Sequence, residues 1–352
     1  AAMSDYASEV ANATRTLRSW RRSRRARFLG LISVLCFTIA CSFLFSLIWG
    51  RTFVSLDSLV LMATGAEDQS GSFIVERLRL PRALLCLLVG MSFGMAGAAF
   101  QTMLDNPLAS PDIIGINAGA SAAAVFAIVI LSKGGLIVST YAIIFSLLIA
   151  TLIYVLSIGK ALVSARIILV GIGVAAFLNS AIAYMLSQAL VWDLQEAIRW
   201  LAGSVNGATY AQAMPVTASL LIFGGFLIGQ SRNLEVLRLG EPASVSLGVN
   251  LHRSRVLVSV SAVGLIAFAT AATGPVSIDA FIAGTMGRTL LGAGRSPIFL
   301  SGLIGALLVL SADIIGQNAF SNRYPVGVVT AALGAPFLIF LIIRKSGRGE
   351  LI

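Results

Sequence analysis

The chain has few of the residues from which catalytic and metal sites are usually built. Among 352 residues there are three cysteines, one histidine (His252) and only 11% charged residues. No cluster of His, Cys and Glu has the spacing of metal ligands, so we expect no transition-metal site built by this chain. A nucleophile paired with a general base is not visible either, which argues against an enzyme. The sequence also lacks the G-x-x-x-x-G-K-[ST] motif, so ATP hydrolysis in the P-loop manner is not expected of it.

Apolar residues are abundant instead. They make up 57% of the chain, and the mean hydropathy is +0.92. Soluble domains carry about 25% charged residues, and apolar runs of roughly 20 residues are long enough to cross a bilayer. The pattern therefore predicts an all-α polytopic membrane protein. We predict ten spans, at about 28–50, 82–104, 113–132, 137–157, 167–190, 211–230, 256–274, 276–291, 297–317 and 326–343.

Basic residues predict the orientation of these spans. Seven arginines lie in the segment 1–27, before the first span. If this segment is cytoplasmic, 18 of the 25 lysines and arginines lie on the cytoplasmic side, as the positive-inside rule requires. Both termini, including the tail 345–352, are then cytoplasmic. The net charge of +10 is thus read as a topology signal with some attraction to anionic membrane lipid, and we expect no nucleic-acid binding.

The stretch "NPLASPDIIGINAGA", residues 106–120, joins the second and third spans. Its prolines and Asn/Asp residues end one helix and start the next. In this topology it lies on the cytoplasmic side. Irregular backbone at membrane depth is tolerated where it is buried in protein or lines a cavity. The residues alone leave two alternatives open, a simple re-entrant turn and a constriction in a transport path.

Six motifs in order resemble one known family. They are "RLRLPRALLCLLVGMSFGMAGAAFQTMLDNPLASPDIIGINAGAS" (77–121), "LVSARIILVGIGVA" (162–175), "WLAGSVNGATY" (200–210), "LGEPASVSLGV" (239–249), "GPVSIDAFIAGTMGR" (274–288) and "YPVGVVTAALGAPFLIFLI" (324–342). Together they are similar to the FecCD family of ABC importer permeases, over residues 28–344. The resemblance implies the type II ABC importer permease fold in a bacterial cytoplasmic (inner) membrane.

The same resemblance implies a function and a set of partners. The expected substrate is a ferric siderophore, with vitamin B12 or haem as the alternative within the family. Two permease chains would form the pore, mainly from spans five and ten, and an extracytoplasmic substrate-binding protein would deliver the cargo. A dimer of separate ATPase subunits would carry ATP and Mg, so this chain itself would bind no cofactor. An ion-coupled secondary transporter is the alternative from a different class, and it would need ionisable residues at mid-membrane.

Site residues follow from the resemblance one by one. Arg79 and Arg82 match arginines that receive acidic residues of the binding protein. A third docking arginine of the B12 permease is replaced here by Gln317, with Arg323 nearby. Cytoplasmic gates are implied at two turns, one before span three and one before span five; the matching residues are Asn106, Leu108, Ser164 and Ala165.

The longest internal cytoplasmic loop, 231–255, is the implied coupling segment. Glu241, followed by proline, is typical of a helix start, and we expect the short helix to end at Gly248. In the family this helix docks into a cleft of the ATPase. The residues concerned are Leu239, Gly240, Glu241, Ala243, Leu247 and Gly248.

One motif departs from the family. Where relatives read close to G-F-V-G-L-x-x-P-H-x-x-R, this chain lacks the proline and histidine and carries Asp279. An ionisable group inside a span is costly, so Asp279 is a possible polar residue of the transport path; the alternative is that it reaches the nearby interface. The divergence favours one half of a heteromeric permease pair. Asp313 and Asn179 are expected to form hydrogen bonds between helices.

Overall fold

The computed structural model describes residues 2–50, 52–55, 57, 73–107, 109–110, 115–157, 163–292 and 295–346. Every regular element in these ranges is a helix. The bounds are α1 Ala2–Ile48, α2 Ile74–Met103, α3 Ile116–Ile130, α4 Leu136–Ser157, α5 Val163–Ser187, α6 Val191–Leu201, α7 Tyr210–Gly229, α8 Ser231–Leu237, α9 Glu241–Ser246, α10 Leu251–Thr273, α11 Ser277–Leu291, α12 Ile298–Asn318 and α13 Val326–Ser346. One π-helical turn lies within each of α2, α3 and α7.

Most of these helices are membrane spans by length and composition. Within the described residues, α1, α2, α4, α5, α7, α10 and α12 each have an apolar stretch long enough to cross a bilayer. The shorter apolar helices α3 and α13, with the 15-residue α11, complete the predicted set of about ten. The all-α polytopic fold class is thereby confirmed. The basic segment 1–27 is not separated from the first span, because α1 is one unbroken helix of 47 residues.

Glycines bring α2 and α12 into contact at the centre of the bundle. A Cβ built on Gly90 would lie 2.3 Å from the carbonyl oxygen of Gly305, and one built on Gly94 would lie 2.2 Å from that of Ser301. Small residues allow membrane helices to pack this closely, so that van der Waals contact replaces the hydrophobic driving force absent in lipid. Around this pair pack α10 and α11, and α1 lies against the outer face of α12.

Helices α1, α5 and α13 are largely unburied in the single chain. On α1, Val34 and Phe37 are 64% and 72% exposed. On α5 the side chains of Leu169, Phe177 and Tyr184 are each about 70% exposed, and on α13 several large apolar side chains are more than half exposed. Lipid can cover such surfaces, and so can a second membrane chain. The fold thus places apolar faces of these three helices outside its own core.

The two ends of the bundle carry different features. The end that contains Arg79, Arg82, α6 and the turn between α10 and α11 is called here the Arg82 side. The opposite end contains the turn after α2 with Asn106, together with α8 and α9, and is called the Asn106 side. Two backbone hydrogen bonds on the Arg82 side join the start of α13, the loop after α6 and the end of α10. Gly327 N donates to Gly203 O (2.9 Å), and Ser204 N donates to Thr273 O (2.6 Å).

Candidate transport and docking sites

Arg79 caps the end of α1. Its Nη1 donates to the carbonyl oxygens of Leu47 (2.6 Å) and Ile48 (2.9 Å), and its Nη2 bonds the carbonyl and hydroxyl oxygens of Thr52. The last carbonyls of a helix lack partners within it, and the negative end of the helix dipole attracts a cation. Arg79 therefore fixes α1 to α2, and much of its guanidinium is used inside the chain.

Arg82 forms a buried ion pair with Asp313 of α12. Its Nη2 donates to Oδ1 at 2.7 Å and its Nε to Oδ2 at 2.9 Å, which is the bidentate geometry of strong Arg–carboxylate pairs. The remaining nitrogen, Nη1, donates to Oδ1 of Asn206 at 2.6 Å, and Gln317 donates to Asp313 at 2.6 Å. The side chains of Arg82 and Asp313 are only 15% and 4% exposed. As predicted, Asp313 bonds between helices.

These contacts show where the structure places the predicted docking residues. Gln317, which the resemblance aligns with a third docking arginine of the B12 permease, donates a hydrogen bond to Asp313. Arg323 is exposed in the loop between α12 and α13. Arg77, one turn before α2 enters the core, is also exposed. On the Arg82 side, Arg77 and Arg323 are therefore exposed to an approaching partner, whereas Arg79 and Arg82 are only partly exposed.

A cleft of about 530 Å³ opens on the Arg82 side. The polar face of α6 forms one wall, and the ends of α3, α4 and α10 form the rest. Trp192, Glu196 and Arg199 come from α6, and Asn206 comes from the loop that Arg82 holds. The strong amphipathicity of α6 explains this placement, since Ala197 on its other face is fully buried.

The turn after α2 is fixed by the far end of α11. Arg288 donates to the carbonyl oxygen of Gln101 (2.6 Å) and pairs with Asp105 (3.2 Å). Thr285 donates to the carbonyl oxygen of Pro107 (3.2 Å). Asp105 has a positive φ of 44°, a conformation that Asp tolerates better than most residues. These bonds hold residues 101–107 of the turn against α11 on the Asn106 side.

The four predicted gate residues are placed unequally. Asn106 is described and exposed, and its backbone N–H bonds Gln101 O at 3.1 Å. Leu108 lies outside the described residues. Ser164 and Ala165 belong to the first turn of α5, which begins at Val163, so they do not lie in the turn before the helix as the sequence suggests. Of their side chains the structure gives no description, and the gate assignment stays a prediction.

The coupling segment folds as a short helix held by its neighbours. It begins at Glu241, directly before Pro242, as the sequence indicates, and Gly248 follows its end with a φ of +83°. Ser244 is fully buried and donates to the carbonyl oxygens of Val236 (2.9 Å) and Gly240 (2.7 Å).

Exposed apolar side chains lie on this helix and just beyond both of its ends. Leu239 and Leu247 are 65% and 63% exposed on the Asn106 side, with Val245 at 59%. Ala243 is half-buried, and Glu241 pairs with Arg255 of α10 at 2.6 Å. Exposed apolar clusters mark sites that contact a protein or a membrane. The coupling role of this segment stays a prediction.

Asp279 lies deeper than its position in the sequence suggests. It is the third residue of α11, yet it is only 1% exposed and packs beside Gly305 of α12. Gly305 is about 20 Å from the Arg82-side end of α12, at 1.5 Å per residue. The expectation that Asp279 reaches an interface is therefore wrong. In this conformation it also lines no open path, because α2, α11 and α12 enclose it.

The sequence was compared with protein families and with known proteins. The model of the FecCD transport family matches residues 37–344. The chain is 35% identical to the ferric enterobactin transport system permease protein of Escherichia coli (strain K12), covering 90% of this chain and 97% of the relative. It is 31% identical to the achromobactin transport system permease protein of Dickeya dadantii (93% and 96% covered). It is also 31% identical to the vitamin B12 import system permease protein of Yersinia pestis (94% and 97%).

A solved structure agrees in fold. A metal-chelate type ABC transporter in an inward-facing conformation superposes with a TM-score of 0.80 at 24% identity, over 89% of this chain and 98% of that one. The helix arrangement and the family together define a multi-pass inner-membrane transport subunit, not an enzyme. The chain belongs to the FecCD transport family, whose members are permease subunits of ABC importers.

Proposed function

We propose that this chain imports a ferric siderophore. The observation that supports this most strongly is its 35% identity, over nearly the full length of both chains, to a permease named for ferric enterobactin. Relatives named for achromobactin and for iron(3+)-hydroxamate import support the same substrate class. Vitamin B12 is the second candidate, because a B12 permease matches over 94% of this chain. Haem is the remaining alternative within the family.

A second permease subunit would complete the pore. The exposed faces of α5 and α13 are the surfaces offered to it, and α5 also exposes the polar side chains of Asn179 and Ser180. A mixed apolar and weakly polar lining suits a large solute that must not bind tightly. We favour a heterodimer, because the span-eight motif of this chain departs from the family pattern. ATP and Mg would be held by the partner ATPase dimer.

In this proposal the Arg82 side faces outward and the Asn106 side faces the cytoplasm, with both termini cytoplasmic. The positive-inside bias supports this orientation. A substrate-binding protein would dock on the Arg82 side through Arg79 and Arg82, with Arg77 as a further exposed cation. On the cytoplasmic side the ATPase would contact Leu239 and Leu247, the exposed leucines on either side of α9. Transport is alternating access, in which ATP binding moves α9 so that the path opens to one side of the membrane as it closes to the other.

Reconstitution tests the function. The chain, its partner permease, the ATPase and the binding protein are placed in proteoliposomes. Uptake is measured with a ferric catecholate, a ferric hydroxamate and haem, each labelled with ⁵⁵Fe, and with cyanocobalamin labelled with radioactive cobalt. We expect saturable uptake of one ferric siderophore that requires ATP and ignores ionophores. If only B12 or only haem were taken up, the assignment of a ferric siderophore as substrate would be wrong. Uptake driven by an ion gradient without ATP would overturn the transporter class.

The ATPase contact predicts the effect of charge on α9. Leu239→Asp and Leu247→Asp should each abolish uptake and release the ATPase on purification, because a charge enters an apolar contact. Exposed positions tolerate substitution within about 0.5 kcal/mol, so the permease itself should stay folded. Ser132→Asp, an equal charge on an exposed loop of the Arg82 side, is the control. Normal co-purification of both leucine variants would refute the coupling role.

The gate predicts a leak. Asn106→Asp adds a negative charge beside Asp105, so facing loops in the dimer would repel and hold water. The resting complex should then release a small trapped solute without ATP, several-fold faster than wild type, and Leu108→Gly should do the same. Ala123→Gly, buried within α3, controls for a lost methyl group away from the turn. If the gate variants released the solute no faster than Ala123→Gly, residues 106–120 would be only a connecting turn and not a gate.

A further inference from the structure

Asp279 differs from the other buried carboxylate of the membrane core. Both of its side-chain oxygens are inaccessible to solvent, and neither has a hydrogen-bond partner among the residues that the structure describes. Asp313, by contrast, accepts bonds from Arg82 and Gln317. Two aspartates of similar burial thus have opposite environments, one saturated with donors and the other with none.

The space around Asp279 leaves no room for a large partner. It faces Gly305, where a Cβ would lie 3.1 Å from Oδ2 and 2.2 Å from the carbonyl oxygen of Gly90. The carboxyl group therefore occupies the notch that glycines leave at the tight crossing of α2 and α12. The glycine backbone packs against the carboxyl group of Asp279 but carries no charge that could balance a carboxylate.

Charged groups on the neighbouring elements are distant or already paired. On α2 and α12 the nearest are Arg82 and Asp313, about 12 Å along the helices and bonded to each other. On α11 itself the nearest is Arg288, about 13 Å away and paired with Asp105. Cys86 of α2 lies one turn from Gly90, and α13 has no titratable side chain between residues 326 and 343. Among the residues that the structure describes, no unpaired cation lies near enough to balance an ionised Asp279.

The first turn of α11 is the one feature that favours the anion. A helix N-terminus stabilises a carboxylate by at most about thirtyfold in favourable geometry. Taking an unpaired carboxylate out of water costs more than a helix N-terminus returns. In this closed packing the uncharged acid is therefore the stable form.

We propose that Asp279 is a proton-binding site in the core of the permease, occupied as the neutral carboxylic acid when α2, α11 and α12 are packed together. The ligand is a single proton, which folding must take up because aspartate in an unfolded chain is ionised near neutral pH. The proton links the closed packing of these three helices to pH. This proposal does not depend on which substrate is carried.

The pH dependence of stability tests the proposal. Melting of the purified complex is compared for wild type and Asp279→Asn, which mimics the neutral acid, between about pH 5.5 and 8. As pH rises, proton uptake becomes harder, so the wild-type folding equilibrium should fall relative to the Asn variant by up to tenfold per pH unit. Asp313→Asn is the control and should lower the melting temperature at every pH, because it weakens an existing ion pair.

Infrared spectroscopy provides the second measurement, because no probe has to enter this closed site. A protonated carboxyl group has a C=O stretching band that is separate from the bands of an ionised carboxylate. The wild-type spectrum near neutral pH should contain this band, and the spectrum of Asp279→Asn should have lost it. A melting difference that does not change with pH, failure of Asp279→Asn to assemble, or no loss of this band in Asp279→Asn would each overturn the proposal.

Discussion

Replacing Gly305 by leucine should abolish the folded permease. The Cβ of any residue at this position would lie 2.2 Å from the carbonyl oxygen of Gly90, and both atoms belong to helix backbones that cannot move apart alone. Overpacking in a core typically costs about 1–3 kcal/mol when side chains can adjust. At Gly305 the nearest atoms belong to the backbone of α2, so relief requires the two helices to move apart and the cost is higher. Gly305→Ala should lower the melting temperature, and Gly305→Leu should leave no monodisperse protein in detergent.

Gly30→Leu is the matched control. A Cβ at Gly30 on α1 would have nothing within 4 Å, so the same substitution meets open space. This variant should melt with the wild type. If Gly305→Leu were as stable as Gly30→Leu, α2 and α12 would not cross at these glycines, and the central packing described above would be wrong.

Arg82→Met should destabilise the permease by about 3–5 kcal/mol, because it leaves Asp313 buried and without its ion-pair partner. Asp313→Leu should have a similar effect through the unpaired guanidinium. The double variant Arg82→Met with Asp313→Leu should recover most of the loss, since apolar side chains of similar size often replace a buried ion pair at little cost. Melting temperatures of the four proteins give the coupling directly.

The same double variant separates stability from docking. It keeps the core intact and removes the Arg82 cation, so the affinity of the binding protein can be measured on a folded permease. If Arg82 docks the binding protein, affinity should fall at least tenfold and uptake should stop. Normal affinity would restrict Arg82 to its internal role, and exposed Arg77 and Arg323 would become the docking candidates.

Local features of the chain were predicted well. Ten apolar runs gave the spans, because the thickness of the bilayer sets a minimum length that a single segment must meet by itself. The start of α9 at Glu241 was also predictable, since a proline in the first turn is a signal carried by adjacent residues. The family could be recognised for the same reason, through motifs that are continuous in sequence.

Boundaries and depth were predicted less well. The helix that contains the fifth span begins at Val163, before the predicted span start near 167, so Ser164 and Ala165 lie in the helix. Asp279 was placed one turn from an interface, because depth was counted from the end of its own span. That count assumes that every span starts at the membrane surface, and α11 instead packs beside the middle of α12.

The sequence by itself therefore determined the class of protein, the number of spans and the order of the motifs. The tertiary structure decided which polar groups meet. Arg82 and Asp313 are 231 positions apart, and Asp105 and Arg288 are 183 apart, so no local pattern connects them. Hydropathy is a property of each segment, whereas the pairing of charges depends on which helices pack together. For that reason one aspartate of the core has an arginine and the other, Asp279, has only glycine.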